Sequence, residues 1–214
     1  AGVQVECRIG MVESSSHVSG EPGVASVLAS AFDHAPKPLF AVLDGAQFED
    51  LPGDLGSAGL FCRSLFLNHP DKSFERAGPW LFSLDSSAAR QVAETLALEK
   101  PCVVVWSCAE GEAALWRHLR SINEVLISLP QSKGPKSTSS AGFERVLFRH
   151  WDPNVLAQVL PTLDHMQFAR FFGPAQQVVF LADPVWGGQV TASNRPEGVE
   201  PPSGPLCFER MSID

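Results

Sequence analysis

Three groups of residues in this sequence carry the side chains that chemistry needs. Cys62, His69 and Asp71 set a thiol, an imidazole and a carboxylate close together, the set a cysteine nucleophile with a base would use. His150 and Asp152 flank Trp151 and could act as an acid/base pair. Asp44 ends an apolar run, where α/β enzymes place a working acid. Each group also has a plainer reading, which we favour. Catalytic partners are assembled in space, so closeness in sequence adds little, and scattered cysteines are more often small buried hydrophobes. Asp152 stands before Pro153 in the order of a helix cap and a first-turn proline, leaving His150 an ordinary strand residue. Asp44-Gly45 is a turn signal.

Arg149 shares a predicted strand face with Leu147 and Trp151. A buried guanidinium needs a carboxylate or carbonyl partner, so either it clamps Asp152 or Asp44, or it lies on an exposed binding face. The glycines form neither GxGxxG nor GxxxxGK[ST], so no phosphate loop or bound cofactor is expected. Six histidines stand singly without HExxH spacing, and no metal site is expected. Trp80, Trp106, Trp116 and Trp151 lie within apolar strands or helix faces and read as core. Trp186, in the Pro184-Val185-Trp186-Gly187-Gly188 run, is the candidate contact.

A net charge of −8 argues against nucleic acid as a main partner, because counterion release needs a basic face. It disfavours an anionic membrane surface as well. The five cysteines are odd in number, scattered and without a CxxC pair, which fits a reducing cytoplasm better than a disulfide framework. No basic region followed by an apolar one opens the chain, so no signal peptide is expected. The apolar runs are too short to span a bilayer, and no membrane insertion is expected.

The elements that must position these residues follow from periodicity. Pro22 opens a predicted helix to about Ala35, with Val24, Val27, Leu28 and Ala31 inward. Residues 39–43, 60–66, 79–84, 101–107, 124–129 and 177–181 read as strands, and 101–107, the most apolar, as a central one. Asp85 is placed to cap a helix carrying Ala89, Val92, Ala93 and Leu96. A further helix over 110–121 turns Leu115, Leu119 and Ile122 inward. Residues 68–76 read as a polar segment and 131–142 as a solvated linker. Together these make an α/β protein with a mixed sheet and flanking amphipathic helices, with scope for two lobes. One domain over 1–192, with a lobe boundary near 131–142, precedes a Pro/Gly-rich tail over 193–214.

Residues 145–174 hold the densest set of local signals. A strand over 143–151 alternates Leu147, Arg149 and Trp151 with Val146, Phe148 and His150. Asp152-Pro153 then starts a helix with Val155, Leu156, Val159 and Leu160 on one side, and Pro161 stops it. Asp164 and Gln167 have capping-box spacing. Phe168, Phe171 and Phe172 form the next apolar stripe, Gly173 suits the left-handed stop, and Pro174 prevents continuation.

The series R-H-W-D-P-N-V-L, L-P-T-L-D and Q-F-A-R-F-F-G-P, preceded by Leu43-Asp44-Gly45-Ala46, Arg63-Ser64-Leu65-Phe66 and Gly78-Pro79-Trp80-Leu81, resembles the bacterial type VI secretion effector chaperones, or Tap/Tec-type adaptors. The resemblance covers roughly residues 38–182. Trp151 stands where that family's pattern leads us to expect Tyr or Phe. The resemblance implies a non-enzymatic cytoplasmic protein that binds a cognate type VI effector and loads it onto the trimeric spike protein. It marks Asp44, Gly45, Pro79, Trp80, Arg149, Trp151, Asp152, Pro153, Phe171, Phe172, Gly173 and Pro174 as structural or partner-binding. The alternatives are a small hydrolase using Cys62 or His150, and a structural module of a larger effector.

Overall fold

The longest apolar runs become the middle of the sheet. In the computed structural model, which describes residues 24–66, 71–128, 142–193 and 206–208, the chain forms α1 (Val24–His34), β1 (Leu39–Asp44), α2 (Leu51–Ser57), β2 (Cys62–Ser64), α3 (Lys72–Ala77) and β3 (Pro79–Ser83). It continues through α4 (Ser87–Glu99), β4 (Val103–Ser107), α5 (Glu112–Ser121), β5 (Glu124–Ser128) and β6 (Phe143–Leu147). Last come α6 (Pro153–Val159), α7 (His165–Phe172), β7 (Gln177–Leu181), β8 (Gln189–Ser193) and β9 (Leu206–Phe208).

Six strands run β2-β3-β1-β4-β7-β8, every neighbour antiparallel. Successive side chains of a strand face opposite sides, and both sides are covered. Leu39, Ala41, Leu43, Val103 and Val105 pack against Phe32 of α1, Leu51 and Leu55 of α2 and Ala89, Ala93 and Ala97 of α4. Phe40, Val42, Val104 and Trp106 pack against Leu115 and Leu119 of α5, Leu156 of α6 and Phe171 and Phe172 of α7. Burial on both faces is why β1 and β4 read as unbroken apolar runs. The α/β class holds, with β1 and β4 central.

A second, smaller sheet runs β6-β5-β9, with β6 antiparallel and β9 parallel to β5. Mixed pairing is thus confined to this sheet, a distinction that hydrophobic periodicity does not reveal because it carries no strand direction. The stretch assigned to the tail supplies a strand: Leu206 pairs with Val125 and Phe208 with Ile127. Residues 131–141, read as a linker, lie outside the described residues, as do residues 194–205 and 209–214.

Four local expectations need correction. Ser86, not Asp85, caps α4, its Oγ accepting from the Ala89 N–H at 3.1 Å. The polar segment 68–76 contains α3, capped by Asp71, which accepts from the Ser73 N–H at 2.8 Å; with no buried residue, this short helix has no apolar stripe to announce it. The strand expected over 60–66 is only the three residues of β2. Finally, β6 ends at Leu147 rather than residue 151. There the Phe148 N–H donates to the Asn123 carbonyl at 2.8 Å, and Phe148, His150 and Trp151 all turn inward.

The start signals of residues 152–174 are as expected, whereas α6 ends at Val159 and Pro161 sits inside the 3-10 turn Leu160–Thr162 that follows. Asp152 accepts from the N–H groups of Asn154 and Val155, and Asp164 and Gln167 form the reciprocal box. Gly173 adopts φ +51 and ψ −119, so its positive φ suits glycine while its ψ lies outside the left-handed helix region. A Cβ on Gly173 would also meet the His118 ring at 2.3 Å. Gly173→Ala is therefore expected to lower stability by about 1–3 kcal/mol, read from the shift of the urea midpoint at unchanged slope.

Candidate functional site

The motifs around Asp44, Leu65, Pro79 and Arg149–Asp152 come from four separate parts of the chain and meet at the Asp44 end of the main sheet, whereas Phe171 to Pro174 pack toward the opposite end, where Leu39 faces Ser107. Asp44, the last residue of β1, is buried at 2% exposure, while the Arg149 side chain is 42% exposed. Arg149 Nη2 donates to Asp44 Oδ2 at 2.6 Å and lies 3.4 Å from Asp152 Oδ2. The guanidinium thus holds both carboxylates that the sequence offered as alternatives. Asp44 Oδ1 accepts from the Ala46 N–H, and Asp152 Oδ1 caps α6. Both acids are engaged in structure.

Around this pair three of the other motif segments close. The Gly45 N–H donates to the Gly78 carbonyl at 3.0 Å. A Cβ on Gly45 would stand 2.4 Å from the carbonyl oxygens of both Arg76 and Gly78, so only glycine fits. Pro79 is buried, and Trp80 Nε1 donates to the Arg76 carbonyl at 3.1 Å. Phe66 stacks on Phe74 at 5.1 Å and meets the buried Trp151 ring edge-on at 5.3 Å. Pro153, in the first turn of α6, is buried. Toward the other end of β4, Phe171 and Phe172 sit against Trp106 at 5.2 and 6.2 Å, and the Cys108 thiol donates to the Pro174 carbonyl.

A pair of residues missed in the sequence ties this cluster to the surface. Asn154 Nδ2 donates to Asp183 Oδ2 at 2.6 Å, and the Asp183 N–H donates back to Asn154 Oδ1 at 2.8 Å. This reciprocal bond fastens the start of α6 to the 3-10 turn Pro184–Trp186. On that turn Val185 is 79% exposed and Trp186 46% exposed. Gly187, at φ 107 and ψ 0, closes it. The candidate contact Trp186 is therefore an exposed aromatic on a turn pinned to the motif cluster.

The groups proposed for catalysis do not come together among the described residues. Asp71 caps α3, and His69 lies outside the described residues. Burial pushes the Cys62 and Cys108 thiols up, and Cys102 up to about 12, the opposite of an activated thiolate. His150 is fully buried and bonds Asn123 Oδ1 through Nε2 at 2.8 Å, while Asn123 Nδ2 donates to the Leu65 carbonyl. Burial, with His118 adding, takes His150 down to about 3. His118 Nε2 donates to the Phe171 carbonyl at 2.8 Å, and burial lowers it to about 4. Among the described residues no group of three or more His, Cys, Asp or Glu is arranged to hold a metal. None of their helices is long and apolar enough to cross a membrane.

The family model described as "Domain of unknown function (DUF4123)" matches residues 39–170. That span is more than half the chain. The chain belongs to this family. It takes in β1 through most of α7, including the Asp44–Arg149–Asp152 cluster, and ends before the exposed turn at Trp186. No curated protein and no solved structure matches the chain.

Replacing Arg149 by Met is expected to cost about 1–3 kcal/mol, since it strands buried Asp44 while the guanidinium's own exposure moderates the loss. Asp152→Ala should cost about 0.5–2 kcal/mol through its cap. A double-mutant cycle with Asp44→Asn in urea is expected to show coupling with Arg149.

The histidines set the pH dependence. Both folded values lie below the ordinary 6.5, so on acidification the unfolded chain binds protons first. Stability is then full above pH 6.5 and falls as the pH drops toward 4, by up to about 1.4 kcal/mol per unit for each histidine. Melting curves between pH 7 and 5 should show this slope, and His118→Gln/His150→Gln should flatten it.

Proposed function

We propose that this protein is a non-enzymatic adaptor of the cytoplasm that holds a type VI secretion effector and delivers it to the trimeric spike protein. The reading rests on the ordered motif series, which resembles effector chaperones and falls almost wholly within the family match at residues 39–170. One observation carries it furthest. The motif side chains bond to one another and to backbone, and through Asn154 they pose an exposed Val185-Trp186 turn. An aromatic held on a rigid turn loses little conformational freedom when a partner covers it, which suits it as an anchor.

Such an adaptor has to release its client, so moderate affinity and a fast off-rate are appropriate. A net charge of −8 favours a partner face with basic residues around an apolar centre.

Coexpression with the effector encoded beside it, followed by size-exclusion chromatography, is expected to give one stoichiometric peak and no turnover by the pure chain. Val185→Ser/Trp186→Ser should weaken the complex by at least about tenfold at an unchanged melting temperature. Separate elution at micromolar concentration would overturn the reading.

A further inference from the structure

We propose that the free edge of β6 takes up an extended segment of a partner protein, apolar, acidic and apolar at every second position. The small sheet ends at β6, which pairs only with β5 among the described residues. One face of β6 presents Phe143 at 55% exposure, Leu147 at 48%, and Arg145 between them. Arg145 reaches Glu124 on β5 at 2.8 Å, with both side chains more than half exposed. A pair so open to solvent is weak, and its guanidinium has donors to spare for a second carboxylate.

Strand addition explains these features together. An added strand bonds the outward backbone groups of β6, and its alternate side chains meet Phe143, Arg145 and Leu147 in turn. An apolar residue opposite each end and a carboxylate opposite Arg145 complete the match. A second copy is the wrong occupant, because full-length two-fold pairing of β6 with itself sets Arg145 against Arg145. The edge at β2 does not compete: it has three residues, and its Ser64 carbonyl already accepts from Trp116 Nε1 at 3.0 Å. The β8 edge, Gln189–Ser193, carries no charged residue with which to select a carboxylate. The proposal is independent of the adaptor reading, since it concerns backbone recognition by a different surface.

The test selects displayed random decapeptides on the full chain and on Arg145→Glu, which replaces an exposed pair by two like charges and should lower the melting temperature only slightly. Peptides enriched on the parent chain should alternate apolar residues about a central Asp or Glu, and those from Arg145→Glu should carry Lys or Arg there. A synthetic copy of an enriched peptide should slow hydrogen exchange at residues 143–147, and N-methylation of its alternate amides should abolish that protection. No enrichment, the same peptides from both chains, helical peptides, or protection elsewhere would each overturn the proposal. None of these results touches the effector-binding experiment above.

Discussion

The ion pair between Asp44 and Arg149 is the constraint on which the rest of the architecture turns. A carboxylate at the buried end of a central strand costs free energy unless it is matched. Here the match comes from a residue more than a hundred positions later, so the pair fixes where the chain must return after the small sheet. Arg149 can meet Asp44 only if β6 stops at Leu147 and the backbone folds inward. That turn in the chain buries Phe148, His150 and Trp151 in one movement. Because the same guanidinium reaches Asp152, the start of α6 is set by the end of β1.

From this pair, order passes outward through bonds of a single kind: a side chain satisfying a group that would otherwise be left unpaired. Asp152 caps α6, and Asn154 in its first turn holds Asp183. Asn123 bridges the His150 ring to the Leu65 carbonyl, so the α5–β5 connection, the β2 loop and the 148–151 turn share one buried network. The network is only partly satisfied, since the buried His150 Nδ1 and Trp151 Nε1 have no hydrogen-bond partner among the described residues. Burial disfavours the charged imidazole, which is why burial and low histidine basicity go together here.

Local chemistry was legible in the sequence where a few adjacent residues decide the outcome. Asp152-Pro153, the Asp164 and Gln167 box, the Phe171-Phe172 stripe and the apolar centre of β4 all lie where their types place them. What eluded the sequence was set at long range or by competition between near-equal options. Asp85 and Ser86 are both good caps, and only the geometry of the preceding strand chooses Ser86. Alternation through residues 148–151 looks like a strand until the demand of Asp44 for a cation overrides it. Asn154 and Asp183 are ordinary polar residues, and nothing local says that they find each other. Leu206–Phe208 seemed an apolar afterthought because a three-residue parallel strand has no periodicity to display.

The division between inner and outer residues bears on what kind of work the molecule can do. Among the described residues Cys102, Cys108, His118 and His150 are buried, while Cys62 is half-buried and His34 and His165 are exposed. The exposed large apolar side chains include Val185 and Trp186 on one turn, Phe143 and Leu147 on one strand, and Phe61 just before β2. Burying apolar area is the main source of protein–protein affinity, whereas turnover needs an accessible group of tuned acidity. An interior stiffened by polar bonds with isolated apolar points outside suits holding another chain. Two such points on separate elements, one fastened through Asn154 and the other at a sheet edge, would let a single small domain grip two partners without either contact disturbing the other.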